Sequence, residues 1–176
     1  MNKIVVPIDF SEHSEYALEV AAILAKRFKA ELLLFHMIGI SESVLSKSES
    51  EELKEADYYL QLTKKKLATF LNRPYLQGLG IKTIIQNLRD FSEVAKVAVE
   101  KEADLIVMGS HGASMLKSFF VGSNTEKVVR SSSIPVLVIK TKHTTFDTKK
   151  ILLATDLEPE SITAYRKATA LAKKLQ

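Results

Sequence analysis

At 176 residues and a net charge of +4, the chain is long enough for one α/β domain with a sizeable core and something more. Its 46% hydrophobic and 26% charged residues exclude a disordered chain, and no apolar stretch reaches the roughly 18 residues of a membrane span. Zero cysteines exclude disulfides and thiolate metal sites, and with a strand beginning at Ile4, leaving no room for a signal peptide, a cytoplasmic location is expected.

Ile4 to Ile8 is a short buried strand, and Ser11 is placed to cap the helix that follows. That helix carries Ala17, Ala21, Leu24, Ala25 and Phe28 at helical spacing. Leu32 to Met37 reads as a second strand, with His36 a polar residue at the sheet rim. Ser41 to Glu52 is rich in Ser and Glu and reads as a mobile acidic loop. A second amphipathic helix follows, with Leu53, Ala56, Leu60, Thr63, Leu67 and Phe70 on one face, and stops before Pro74. Ile81 to Gln86 is a third strand. Asp90 or Ser92 can cap a helix bearing Val94, Val97 and Ala98. Leu105 to Met108 is the fourth strand, Glu126 to Arg130 a further helical stretch, and Val136 to Ile139 the core of a fifth strand.

Strands and helices that alternate, with continuously apolar strands, imply a parallel sheet covered on both faces. Right-handed crossovers leave few topologies. The expected fold is α/β: a doubly wound five-stranded parallel sheet of order 3-2-1-4-5, Rossmann-like. Strands one and four are then neighbours whose connections leave in opposite directions, and ligands bind in the crevice at such a point. Asp9 ends strand one and Gly109 ends strand four, so both fall on that crevice.

Between the fourth strand and the last helix runs Gly109-Ser-His-Gly112, then nine residues, then Gly122-Ser123-Asn124-Thr125. Glycines let backbone approach a ligand closely, and the free N–H groups of a first helical turn suit a phosphate. Ser123 to Glu126 also fits a capping box, which needs no ligand; a cap does not account for the glycines. His111 has no acidic partner assignable from sequence and reads first as a solvent-facing loop residue, with a phosphate contact as the lesser alternative and an acid or base role below that. Met108, Met115, Phe119 and Phe120 read as loop packing. The histidines lack metal-ligand spacing, so no metal site is expected.

The tail repeats the head. Lys150-Ile-Leu-Leu-Ala-Thr-Asp156 replays Lys3-Ile-Val-Val-Pro-Ile-Asp9, and the register continues through Ser14/Ser161, Ala17/Ala164, Ala21/Ala168 and Leu24/Leu171. The expected organisation is one domain over 1–140, a linker over 141–149, and the first strand and helix of a second copy, cut short, over 150–176.

Taken together, Ile4-Val-Val-Pro-Ile-Asp9-Phe-Ser11, Ala103-Asp-Leu-Ile-Val-Met-Gly-Ser-His-Gly112 and Gly122-Ser123…Glu126-Lys-Val-Val-Arg-Ser-Ser-Ser-Ile-Pro-Val-Leu-Val-Ile139 resemble the universal stress proteins, whose fold is that of the adenine-nucleotide alpha-hydrolases. The glycine spacing resembles the ATP-binding branch of that family. The resemblance implies that Pro7 and Asp9 contact adenosine and that Met37 lines the adenine site. It also implies that Gly109, Gly112, Gly122, Ser123 and Thr125 hold ribose and phosphates. Asn124 stands where a small apolar residue is common and keeps its backbone N–H. Ala113 stands where a basic residue is frequent, a loss for which Lys117 is a candidate substitute.

The implied cofactor is ATP or another adenine nucleotide, with Mg²⁺ carried on the phosphates. The favoured function is a stress-response sensor whose nucleotide orders the 110–125 loop and alters dimer or partner contacts. The alternatives are a slow ATPase or self-phosphorylating protein, for which no catalytic residue can be named, and a scaffold that binds no nucleotide. An exposed fifth strand, Val136 to Ile139, invites homodimerisation, as the family resemblance also implies; any regulatory protein partner is unknown. The scattered lysines, without interleaved aromatics, give no nucleic-acid surface.

Overall fold

A computed structural model describes residues 1–38, 49–87, 90–111, 122–156 and 158–175. In chain order the elements are β1 (Lys3–Pro7), α1 (Glu12–Phe28), β2 (Glu31–Met37), α2 (Glu49–Leu71), β3 (Ile81–Gln86), α3 (Glu93–Glu100), β4 (Leu105–Gly109), α4 (Ser123–Ser131), β5 (Val136–Ile139) and α5 (Ile162–Leu175). The five strands form one parallel sheet of order β3-β2-β1-β4-β5, as the alternation of elements predicts.

Alternate strand residues feed two cores, the consequence of the two-residue pleat. Ile4, Val6, Leu32, Leu34, Leu105 and Val107 meet Ala17, Ala21, Leu24 and Ala25 of α1 and Leu67 and Phe70 of α2. Val5, Leu33, Phe35, Ile106 and Met108 face the other way, onto Val94, Val97 and Ala98 of α3 and Val128 of α4. Each layer of helices thus covers one face of the sheet, which an all-parallel sheet requires.

Helix α1 begins as the sequence predicts: Ser11 is its cap, and the Ser11 side chain accepts from the Ser14 amide. Helix α2 departs from expectation. It starts at Glu49, inside the stretch read as an acidic loop, because acidic residues at a helix N-terminus complement its dipole. The rest of that proposed loop, 41–48, lies outside the described residues.

The tail also departs from expectation in part. Lys150 to Asp156 forms no strand, although α5 forms where the repeat places a helix. A strand needs a neighbour for its backbone groups. Among the described residues the segment lies open, with Leu152 94% exposed. Helix α5 rests against the N-terminal end of the sheet instead. Leu175 is buried in the first core, its carbonyl accepts from Arg27 and Thr148, and Lys167 donates to the Ser133 carbonyl.

Candidate functional site

The crevice opens where β1 and β4 part. Their pairing is confined to Ile4 with Leu105 and Val5 with Ile106, although both strands run further. Pro7 supplies the reason. Parallel strands aim successive amides to alternate sides, and the Ile8 amide donates to Phe35 of β2 at 2.8 Å. The preceding backbone nitrogen therefore points to β4, and there proline has no hydrogen to give. The ladder stops and a cleft follows, lined by Pro7, Asp9, Phe91 and Met108 with His111, Asn124 and Thr125.

The β1–α1 turn forms one wall. Phe10 adopts a left-handed backbone with φ 63°, which costs a residue with a Cβ roughly 1–2 kcal/mol. Its ring repays part of that by packing 4.6 Å from His36 and 5.6 Å from Phe70, between centroids. The turn sets Asp9 at the cleft, where Oδ1 accepts from the Ser11 amide at 3.0 Å and the Ser11 hydroxyl at 2.5 Å. Asp9 therefore supports the cap of α1 as well as lining the cleft. His36 sits at the sheet rim as expected, and its Nδ1 donates to the Ile8 carbonyl at 2.7 Å.

The opposite wall is the start of α4. Its cap is Gly122, not Ser123, and no side chain caps it. The expected capping box does not form, because Ser123 is already helical and Glu126 turns to Arg130 at 3.5 Å. A helix start without a side-chain cap leaves its amides to other acceptors, and the partial positive charge of the helix end adds to their pull on an anion. The Gly122 amide donates to the Ser110 carbonyl at 2.8 Å, and the buried Thr125 hydroxyl donates to the Gly109 carbonyl at 2.8 Å. These bonds tie the start of α4 to the end of β4.

The two described glycines of the motif serve different ends. A Cβ on Gly109 would stand 2.7 Å from the backbone C and O of His13 and 2.8 Å from its Cβ, so glycine here lets α1 press on β4. A Cβ on Gly122 would lie 3.2 Å from the Ser110 oxygen, a tight but smaller conflict. Met37 ends β2 and packs against the second core; it does not line this cleft. Gly112, Ala113, Met115, Lys117, Phe119 and Phe120 lie outside the described residues.

His111 differs most from its sequence reading. Its Nε2 is buried without a hydrogen-bond partner among the described residues, while Nδ1 lies 3.0 Å from the Ser110 hydroxyl. Ser14 and Phe91 also line the cleft without having been singled out as site residues. The available signal was position, since both follow the C-terminal ends of strands. Next to Phe91 in the chain, Asp90 Oδ1 accepts from the Ser92 amide at 2.9 Å. That bond, aided by Lys127, holds the Asp90 carboxyl below its usual range. Ser92 begins α3 without a side-chain cap of its own.

A parallel sheet of this order, with a crevice between its central strands, defines a doubly wound α/β protein of the Rossmann-like class. The model of the universal stress protein family matches residues 1–140, and the chain belongs to that family. It is 33% identical over 155 residues to universal stress protein MJ0577 of Methanocaldococcus jannaschii, covering 80% of this chain and 96% of that one. It is likewise 33% identical over 153 residues to YxiE of Bacillus subtilis, covering 79% and 99%. The solved structure of MJ0577 superposes with a TM-score of 0.67 at 34% identity, over 81% of this chain and 97% of that one. A universal stress protein of Archaeoglobus fulgidus, solved in complex with dAMP, shares the fold with a TM-score of 0.51 at 20% identity, over 80% and 98%. No helix among the described residues is long and apolar enough to cross a membrane.

Proposed function

We propose that the cleft between β1 and β4 binds an adenine nucleotide, with ATP as the physiological ligand, and that the protein acts as a stress-response sensor. The observation that carries this reading is the start of α4: a helix capped by Gly122 alone, tied to β4, with Asn124 and Thr125 facing a cleft that Asp9 and Pro7 close from the other side. Phosphates belong at the α4 end, where amides and the helix dipole favour anions. The nucleoside belongs against Pro7, Met108 and Phe91, with Asp9 in reach of hydroxyl or base donors. The dAMP complex of the Archaeoglobus relative is consistent with that chemistry.

Gly122, Ser123, Asn124 and Thr125 are the phosphate-binding residues of this reading, with Gly109 acting through the packing of α1. Among the described residues no group of three or more acidic or histidine side chains could hold a metal. In this reading Mg²⁺ enters with the phosphates, coordinated by them and by water. Occupancy changes the protein's contacts. The edge strand β5, paired on one side by β4, is the surface we assign to homodimer formation. Residues 150–176 we read as the opening of a second repeat, with 141–149 as its linker.

Calorimetric titration of ATP, with and without Mg²⁺, tests the reading. Saturable binding is expected for the wild type and a loss of at least tenfold for Gly122→Val, both checked for native secondary structure. A folded wild-type protein that binds no adenine nucleotide would refute it.

A further inference from the structure

We propose that His111 is a specificity-determining residue of the cleft: its Nε2–H donates to a phosphate oxygen of the ligand and makes the site select phosphorylated nucleotides over nucleosides. The inference rests on the nucleotide reading above and extends it to a side chain that the glycine motif leaves unassigned.

The ring is held rather than free. Its Nδ1 lies 3.0 Å from the hydroxyl of Ser110, a residue 1% exposed whose carbonyl is fixed by the Gly122 amide at 2.8 Å. His13 of α1 backs the ring, with centroids 5.4 Å apart and planes tilted by 55°. On the other side, His111 Cδ2 lies 3.9 Å from where a Cβ of Gly122 would stand. Gly109 matters here too, since its missing Cβ brings the His13 backbone this close.

The Ser110 contact decides which nitrogen carries the proton. If Nδ1–H donated to the Ser110 oxygen, that buried hydroxyl would lose its own acceptor and Nε2 would be an unpaired acceptor. If the hydroxyl donates to Nδ1, the proton sits on Nε2 and one group alone is left over. The second arrangement leaves fewer buried groups unsatisfied. Its remaining donor, Nε2–H, is buried and without a partner among the described residues. A donor left unpaired in a cleft calls for a ligand acceptor. The ring edge bearing it lies beside the cap of α4, where the helix end favours anions. An anionic oxygen satisfies both at once, and a neutral nucleoside has none.

The test titrates adenosine, AMP and ATP into wild type, His111→Leu and His111→Gln. Glutamine keeps an N–H near the position of Nε2, and leucine keeps bulk without a donor. A hydrogen bond to a charged oxygen corresponds to about a 10- to 100-fold loss of affinity when removed. His111→Leu is expected to lose that much for AMP, ATP or both, and to bind adenosine within twofold of wild type. His111→Gln is expected to recover most of the loss. In ¹⁵N-labelled wild type, the His111 Nε2 resonance should move on addition of ATP and stay in place with adenosine.

Unchanged ATP and AMP affinity in folded His111→Leu would overturn the inference while leaving nucleotide binding intact. A parallel loss for adenosine would overturn it as well, since the ring would then be acting by packing. Absence of any adenine-nucleotide binding in the wild type would remove both this inference and the reading on which it rests.

Discussion

Replacing Gly109 with alanine isolates the packing of α1 on β4 from ligand binding. The added Cβ would fall 2.7 Å from the backbone C and O of His13, against an ordinary contact of about 3.4 Å or more. The first turn of α1 must then retreat by roughly 0.7 Å. It has little room to do so, because Ala17, Leu18 and Ala21 on the same helix are fully buried. Overpacking against backbone in a dense core costs about 2–3 kcal/mol, which for a chain of this size lowers the Tm by about 4–12 °C. Urea and thermal unfolding followed by circular dichroism give the value directly. Gly80→Ala is the control, since nothing lies within 4 Å of its would-be Cβ and its Tm should be near that of the wild type. Gly122→Ala should fall between them, since its nearest neighbour, at 3.2 Å, is a single carbonyl oxygen. A Gly109→Ala protein as stable as Gly80→Ala would refute the packing account and return Gly109 to a role in ligand approach alone.

Thr125→Val keeps the side-chain shape and removes the buried donor to the Gly109 carbonyl; a loss of about 1–3 kcal/mol is expected from the urea midpoint, and Thr125→Ser should retain most of it. Burial opposes ionisation of Asp104, but the Asn2 and Lys3 amides, with Lys174, outweigh it and hold the carboxyl below its usual range. A depressed carboxyl stabilises the fold above its unfolded pKa of about 3.9 and loses that contribution as pH falls through the folded value. Asp104→Asn should therefore destabilise at neutral pH and flatten the acid limb below about pH 4; identical stability–pH curves for the two proteins would contradict this. Leu175→Ala removes the one fully docked side chain of α5, a change of about 2 kcal/mol. Hydrogen exchange of the α5 amides should then accelerate by roughly 30-fold, and unchanged rates would show that α5 is held by other contacts.

Much of the fold is written in local pattern. Apolar strands of four to seven residues alternating with helical spacing are enough to require a parallel sheet between two helix layers, and handed crossovers then place β1 beside β4. The Ser11 cap, the stop before Pro74 and the nearness of Asp9 to Gly109 all follow from short-range chemistry. The start of α2 was misread because serines and glutamates suit a loop and a helix N-terminus alike.

The site is legible only in outline. The sequence by itself determined that a glycine-spaced loop and the Asp9 turn converge on one crevice, since strand order and strand ends depend on hydrophobic periodicity. Tertiary structure decided what each residue does there. Gly109 is needed because His13, distant in sequence, lies against it. Gly122 displaces Ser123 as the cap because its amide is drawn to the Ser110 carbonyl. His111 Nε2 is buried because α1 and α4 close on it from two sides, and Lys150 to Asp156 forms no strand although its sequence repeats that of β1. Helix and strand preferences are carried by neighbours along the chain. Close approach, burial and the pairing of polar groups are set by residues that only folding brings together.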